Sequence, residues 1–166
     1  MRLFAVEALG AENRQLRFAC TEWRKPYLDG APDFCFSIAH TDGAVAVAVS
    51  PTAVGTDIER LREAPRGVAE RFFTPEEQAY CAGADDRFFE VWTRREAQAK
   101  RTGTPLAAAF AASRGGKAAD NTETRIFRAD DFILAVASDA ADAFSICKTD
   151  PDRFLDDVLK RLAPLA

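Results

Sequence analysis

The sequence is short of the residues that build zinc sites. Its 166 residues include one histidine, and its four cysteines show no C-x-x-C spacing. Structural zinc centres take their ligands from paired cysteines and from histidines, so this composition argues against a zinc site. Without paired spacing, four cysteines are predicted to be buried free thiols: Cys20, Cys35, Cys81 and Cys147.

Long apolar runs are also absent. The longest, residues 43–49 and 132–137, are far shorter than the roughly 20 residues of a membrane helix. The N-terminal segment reaches an acidic residue, Glu7, too early for a signal peptide. We therefore expect a cytoplasmic protein with no membrane partner.

An excess of basic charge is missing as well. The net charge is −4, whereas proteins that bind nucleic acids usually present a basic face, so no nucleic-acid partner is expected. A small anionic ligand is still compatible with this balance, because local charge decides its binding. The length fits a single domain over residues 1–166, with enough chain to bury a core.

The first clear structural signal is a β-hairpin. Residues 34–40 and 44–49 alternate in character, and Asp42-Gly43 between them is a strong turn signal. The pattern predicts a hairpin packed on both sides. His40 lies at the end of the first strand. A lone histidine is more often structural, although functional sites commonly lie beside such turns.

The strand predicted after this hairpin carries two acids on one face. Val54, Thr56 and Ile58 alternate with Asp57 and Glu59, and successive side chains of a strand point to opposite faces. Two carboxylates on one face repel each other unless a cation lies between them. The alternative is an exposed face with its acids in water, but the flanking chain is apolar and contains glycine.

A long aromatic helix is predicted over residues 83–102. Phe89, Trp92 and Glu96 share one face at helical spacing, and Lys100 follows Glu96 by one turn. A carboxylate and an ammonium on the inward face are costly to bury unless partners pair with them. The helix therefore predicts a set of buried polar contacts.

The remaining segments carry structural signals. Thr74-Pro75-Glu76-Glu77 predicts a capping box inside a helical region, so Glu77 has a structural explanation at least as good as a chemical one. The other expectations are a weak strand and loop over 106–122, an antiparallel pair over 122–127 and 132–138, a last strand over 144–148, and a final amphipathic helix capped by Asp150.

Three acids converge if the helix packs on the sheet: Asp57, Glu59 and Glu96. Carboxylates without histidine or cysteine suit a hard cation, Mg²⁺ or Mn²⁺, which normally also binds substrate phosphates. Three cationic side chains would complement those phosphates: Lys25, His40 and Lys100. The chemistry indicates metal-dependent phosphoryl transfer or a phosphodiester site.

Five short motifs occur in order along the chain. They are Lys25-Pro26, Phe36-Ser37-Ile38-Ala39-His40-Thr41, Val54-Gly55-Thr56-Asp57-Ile58-Glu59, Arg71-Phe72-Phe73-Thr74-Pro75-Glu76-Glu77 and Trp92-Thr93-Arg94-Arg95-Glu96-Ala97-Gln98-Ala99-Lys100. In this order they resemble the 4′-phosphopantetheinyl transferases, specifically the larger, two-lobed Sfp-type branch, over roughly residues 15–150.

The resemblance implies a reaction: transfer of 4′-phosphopantetheine from coenzyme A to a serine of an apo acyl or peptidyl carrier protein, with release of 3′,5′-adenosine bisphosphate. It implies Mg²⁺, or Mn²⁺, held by Asp57, Glu59 and Glu96. The implied coenzyme A contacts are Lys25, His40, Thr41 and Lys100, and the implied catalytic residues are Glu96, Lys100 and Glu59. Glu96 or a metal-bound water would take the serine proton, and the choice stays open.

The implied fold is α+β, with antiparallel sheets packed on helices in two pseudo-symmetric lobes. Residues 1–53 would form a partial, truncated N-terminal lobe, and residues 54–166 a C-terminal lobe that carries the metal site. Three positions depart from the family pattern: Ala39 and Thr41 replace the two serines that flank the histidine, which removes one hydroxyl, and Arg95 replaces a lysine. A neighbouring subunit of a homo-oligomer would be one replacement for the shortened lobe.

Two other functions remain open. A catalytically weak or inactive family member would act as a subunit that binds coenzyme A or a carrier protein. A metal-dependent hydrolase of a phosphoester would explain the acids but not the ordered motifs. The choice of carrier protein, the tolerance of acyl-coenzyme A and the oligomeric state do not follow from the sequence.

Overall fold

The computed structural model describes residues 1–114, 123–139 and 145–162. Its helices are α1 (Arg2–Leu9), α2 (Val68–Phe72), α3 (Pro75–Cys81), α4 (Asp85–Thr102), α5 (Leu106–Arg114) and α6 (Pro151–Arg161). Its strands are β1 (Phe18–Cys20), β2 (Pro26–Leu28), β3 (Cys35–Thr41), β4 (Ala44–Ser50), β5 (Val54–Arg60), β6 (Glu123–Ala129) and β7 (Phe132–Ser138). The strands pair as β1-β2, β3-β4 and β5-β7-β6, all antiparallel. The expected α+β class is confirmed.

Helix α4 lies directly on strands β5 and β7 because the residues between them are small. Ala97, Ala135 and Ala137 form a buried cluster at this contact. A Cβ atom placed on Gly55 would lie 2.0 Å from the carbonyl oxygen of Ala97 and 2.3 Å from the backbone nitrogen of Arg101. Only glycine allows this approach of the two backbones.

One face of the β3–β4 hairpin packs against β5. The backbone N–H of Thr56 donates a hydrogen bond to the Ser37 hydroxyl at 3.0 Å, and the Thr56 hydroxyl donates one to the carbonyl oxygen of Ala135 at 2.9 Å. Both threonine groups are therefore satisfied although the residue is buried. The hairpin thus docks β3 beside the acids of β5.

The prediction that the hairpin is packed on both sides is wrong. On its outer face, Phe34 and Phe36 are buried against the N-terminal segment, in a cluster with Leu16 and Leu28. This cover does not extend to the rest of that face, whose exposed residues are Ile38, Val45, Val47 and Val49. The outer face is therefore apolar but only partly covered.

The helical region before α4 begins and ends as its sequence predicts. The Glu77 N–H donates to the Thr74 hydroxyl at 3.3 Å, and the Thr74 N–H donates to the Glu77 carboxylate at 2.9 Å, which completes the capping box. Helix α4 ends at Gly103, whose φ of 73° lies in the left-handed region. Residues 65–81 are predicted to be helical, with a short helix that ends at Arg71-Phe72-Phe73 before the capping box, and they contain the two helices α2 and α3.

The expected weak strand over 106–122 is wrong where the chain is described, because residues 106–114 form α5. Alanine, which dominates this segment, has the highest helix propensity, and tertiary packing completes the helix through buried Phe110 against Phe72, Phe73 and Trp92. Residues 115–122 lie outside the described residues.

The last part of the chain agrees only partly with its pattern. The antiparallel pair is confirmed as β6 and β7, except for Thr122, which lies outside the described residues. No strand forms at residues 145–148, and Phe144 lies outside the described residues. Asp150 caps α6 by accepting hydrogen bonds from two backbone N–H groups at 3.0 and 3.1 Å. Phe154 stacks on Phe4, but Leu155 is exposed.

The cysteines are free thiols, but the prediction that all four are buried is wrong. Cys81 is buried, Cys35 is partly buried, and Cys20 and Cys147 are exposed. Cys20 is the last residue of the three-residue strand β1, and its side chain is exposed there. Within the described residues, no helix combines the length and apolar character that a membrane crossing requires.

The contact at Gly55 predicts a severe loss of stability on substitution. In Gly55→Ala, the new methyl group would meet the α4 backbone, so the helix would have to move off the sheet. We expect a loss of more than about 3 kcal/mol in the free energy of unfolding, measured by urea denaturation. Gly10→Ala is the control: its φ is 62° with open space around it, so a loss of roughly 1 kcal/mol is expected. Equal losses in both variants would contradict the close packing.

Candidate active site

The contact between α4 and β5 brings three of the predicted residues together. The Lys100 ammonium donates a hydrogen bond to Asp57 Oδ1 at 2.6 Å and lies 3.5 Å from Glu96 Oε2. Asp57 is buried on β5, whereas Glu96 and Lys100 are partly exposed on α4. Lys100 thus balances two carboxylates that would otherwise repel each other across the helix–sheet contact.

Asp57 has an unsatisfied oxygen. Among the described residues, its Oδ2 atom is buried and accepts no hydrogen bond. Burial and the nearby Glu96 charge raise the pKa of this carboxyl, Lys100 lowers it, and the net result is a pKa of about 7. An orphaned carboxylate oxygen with a raised pKa is typical of a site that accepts a cation or a proton.

Glu59 lies two residues further along β5 and is paired differently. Its Oε2 atom accepts a hydrogen bond from Arg62 Nη1 at 2.8 Å and lies 3.5 Å from the Thr41 hydroxyl. The Arg62 guanidinium also lies over the Phe89 ring, 4.7 Å from its centroid. The sequence patterns did not single out Arg62, because it follows the end of β5 and belongs to no periodic segment.

Lys25 and His40 are not joined to this cluster. The Lys25 ammonium donates to the carbonyl oxygens of Val54 at 3.1 Å and Arg101 at 2.5 Å, and burial lowers its pKa. His40 is exposed on the outer face of the hairpin, because it alternates with Thr41, whose hydroxyl faces Glu59. Within the described chain, no hydrogen bond or ion pair links either residue to the acids.

Arg95, which stands where the resemblance places a lysine, pairs with Glu77 of α3. It forms an ion pair with Glu77 at 2.6 Å, with both side chains mostly buried. The pair connects α3 to α4, and Glu77 also caps α3. Both roles are structural, which favours the structural interpretation of Glu77.

A cleft of about 100 Å³ adjoins Glu59. Apolar side chains form most of its lining, including Phe88, Phe89 and Trp92, and Arg62 contributes to it as well. Glu59 therefore adjoins an apolar recess.

The carboxylates of Asp57, Glu59 and Glu96 are suitable ligands for a divalent cation, but their oxygens do not converge on a single point. In residues 1–114, 123–139 and 145–162, no three Asp, Glu, His or Cys side chains form a cluster that could hold a metal ion. Lys100 lies against Asp57 and Glu96, and Arg62 engages Glu59. The orphaned Asp57 oxygen and the all-carboxylate donor set nevertheless match the preference of Mg²⁺ for oxygen ligands.

Comparison with known families defines the class. The sequence profile of the 4′-phosphopantetheinyl transferase superfamily matches residues 53–147, which is more than half of the chain. The chain therefore belongs to the 4′-phosphopantetheinyl transferase superfamily. The matched segment contains β5 and α4, and with them Asp57, Glu59, Glu96 and Lys100.

Curated relatives point to the same class. A 4′-phosphopantetheinyl transferase of Bacillus subtilis is 30% identical over 111 residues, 64% of this chain and 50% of the relative. The transferase gsp of Aneurinibacillus migulanus is 33% identical over 108 residues, 62% of this chain and 45% of the relative. The transferase Sfp of Bacillus subtilis strain 168 is 29% identical over 100 residues, which cover 57% of this chain and 45% of the relative. The chain spans about half the length of the curated relatives it matches.

The raised pKa of Asp57 predicts a pH dependence of stability. Between pH 3.8 and about 7, the folded state holds this proton while the unfolded chain releases it. The carboxyl's contribution to stability is therefore greatest below pH 3.8 and falls until about pH 7. In Asp57→Asn this loss disappears, so the variant should gain about 1–3 kcal/mol relative to the wild type between pH 5 and pH 8, measured by urea unfolding.

The matched control is Asp42→Asn. Asp42 is a highly exposed carboxylate that pairs with Arg60, so its variant should run parallel to the wild type across the same pH range. A constant difference between Asp57→Asn and the wild type from pH 5 to pH 8 would contradict the burial argument.

Proposed function

We propose that this chain transfers the 4′-phosphopantetheine group from coenzyme A to a serine of an apo acyl or peptidyl carrier protein. The reaction depends on Mg²⁺, or Mn²⁺, releases 3′,5′-adenosine bisphosphate and takes place in the cytoplasm. The observation that carries the proposal is the contact of Asp57, Glu96 and Lys100 between β5 and α4, in a chain of this superfamily. The named relatives, which are 4′-phosphopantetheinyl transferases, support the reaction class.

Asp57, Glu59 and Glu96 would hold the divalent ion. When bound, the ion supplies neutralisation of charge on the pyrophosphate oxygens and the leaving group. Asp57 must give up its proton to act as a ligand, and its pKa of about 7 puts this loss in the neutral range. Its buried, unpaired Oδ2 supports this role.

Lys100 and Glu96 would act on the reacting groups. The Lys100 ammonium is already held between two carboxylates, so its charge is positioned for the phosphoryl oxygens without further ordering. Glu96 is the more accessible of these two carboxylates, with 22% of its side chain exposed against 5% for Asp57. We therefore assign the serine proton to Glu96 as the general base.

The proposed coenzyme contacts are Lys25, His40 and Thr41, together with Lys100. Thr41 adjoins Glu59, which supports a place beside the metal ligands. His40 offers an exposed imidazole at the end of β3. Lys25 would exchange the carbonyl oxygens of Val54 and Arg101 for a phosphate, which is a stronger partner for an ammonium.

A loading assay tests the proposed function. Purified protein, coenzyme A, Mg²⁺ and an apo carrier should yield a carrier whose mass increases by one phosphopantetheine group. Glu96→Gln should lower the rate at least about 100-fold, because it removes both a metal ligand and the base. EDTA should stop loading, and Mg²⁺ or Mn²⁺ should restore it.

Glu90→Gln is the matched control, on the same helix. Glu90 is also mostly buried, but it pairs with Arg128 and Tyr80, away from the acid cluster. Its variant should load carriers at close to the wild-type rate. Absence of loading by folded wild-type protein with acyl and peptidyl carriers, or equal loss in both variants, would contradict the assignment.

A second function is supported by one observation. Lys100 pairs with Asp57 and Glu96, and Arg62 pairs with Glu59, so the chain's own cations already balance the acids, as a subunit that binds coenzyme A or a carrier without turnover would require. Calorimetry separates the two functions. Coenzyme A binding that is independent of Mg²⁺, without loading, would favour the binding protein, whereas metal-dependent binding favours the transferase.

A further inference from the structure

Arg62 is a well-held cation that the proposed reaction does not use. Its Nη1 atom donates to Glu59 Oε2 at 2.8 Å and to the carbonyl oxygen of Arg60 at 2.9 Å. The guanidinium lies over the Phe89 ring at 4.7 Å. A carboxylate, a carbonyl and an aromatic face therefore fix one end of this side chain.

The charge balance of the acid cluster explains this arrangement. Three carboxylates lie along β5 and α4, and Lys100 reaches Asp57 and Glu96. Glu59 is mostly buried, with 18% of its side chain exposed, and its cationic partner is Arg62. Without that partner, Glu59 would add an unbalanced charge beside Asp57, whose pKa the Glu59 charge already raises.

The two cations differ in how readily they can leave. Lys100 contacts a buried carboxylate, whereas 51% of the Arg62 side chain is exposed. Because its arginine end is half exposed, the Arg62–Glu59 pair is partly screened by solvent and contributes on the order of 1 kcal/mol, so a divalent cation can displace it. The stacking on Phe89 can keep the displaced guanidinium beside the cleft.

We propose that Arg62 is an internal counter-ion of Glu59 that a divalent cation must displace, so that Arg62 sets the metal affinity of the site. This inference rests on the metal site of the proposed function. Arg62 is a positioning residue. It holds the Glu59 side chain in place and neutralises its charge until the metal binds the same carboxylate oxygen. Loss of Arg62 therefore strengthens metal binding, the opposite of what structural damage does.

Mn²⁺ binding to the full chain tests the proposal. The dissociation constant is measured by calorimetry and by electron paramagnetic resonance at low salt, without coenzyme A. Arg62→Gln should bind Mn²⁺ about two- to fivefold more tightly than the wild type, because the competing ion pair is gone. Arg62→Lys, which keeps a cation at this position, should stay closer to the wild type.

Arg60→Gln is the matched control. Arg60 is similarly exposed, at 46% of its side chain, but it pairs with Asp42 and Asp131 rather than Glu59. The Arg60→Gln variant also removes one positive charge beside Glu59, but it leaves the Arg62–Glu59 ion pair intact. The Mn²⁺ affinity of Arg60→Gln should therefore change less than that of Arg62→Gln. In a Glu59→Gln background, Arg62→Gln should have no effect, because the competition has no carboxylate to act on.

The outcomes separate this inference from the proposed function. If the wild type binds Mn²⁺ and Arg62→Gln binds it equally or more weakly, the metal site stands and the role of Arg62 is overturned. Equal tightening in Arg62→Gln and Arg60→Gln also overturns it, since that result reflects general charge. If neither the wild type nor Arg62→Gln binds Mn²⁺, the metal site fails and the inference fails with it.

Discussion

The absence of a side chain at Gly55 is the constraint on which the rest of the site depends. The α4 backbone passes so close to β5 that a Cβ atom would lie 2.0 Å from the carbonyl oxygen of Ala97. This approach brings the last turns of α4 against the acidic end of β5. Lys100 can then reach Asp57 at 2.6 Å, and Glu96 lies beside it. A wider helix–sheet spacing would separate these three side chains and admit water between them.

Close packing also places three carboxylates near one another, and cationic side chains of the same chain pair with them. Asp57 loses water on burial, and Glu96 and Glu59 both disfavour its charge, which raises its pKa to about 7. Lys100 balances Asp57 and Glu96, and Arg62 balances Glu59. The chain's own cations therefore offset only part of the cost of burying these acids, and one oxygen of Asp57 is left as an open acceptor.

Local patterns predicted much of this arrangement. The alternation around Asp57 and the helical spacing of Trp92, Glu96 and Lys100 indicated the two elements that carry the acids, and the capping box at Thr74 was confirmed. Helix α5 was missed because its alanines form no clear stripe. Arg62 was missed because loop residues have no periodicity that would point them at a partner. The roles of Lys25 and His40 stay predictions, since the structure joins neither to the acids.

By itself, the sequence determined the strands and helices that carry the acids, the capping box at Thr74 and the superfamily motifs, because hydrogen bonding within a strand or helix and the spacing of apolar residues are local properties. The tertiary structure alone decided which carboxylate meets which cation. Those contacts join residues far apart in the chain, such as Asp57 with Lys100, and they depend on how closely α4 approaches β5. The close approach of the α4 backbone to β5 at Gly55 therefore brings the β5 motif and the α4 motif together in one site.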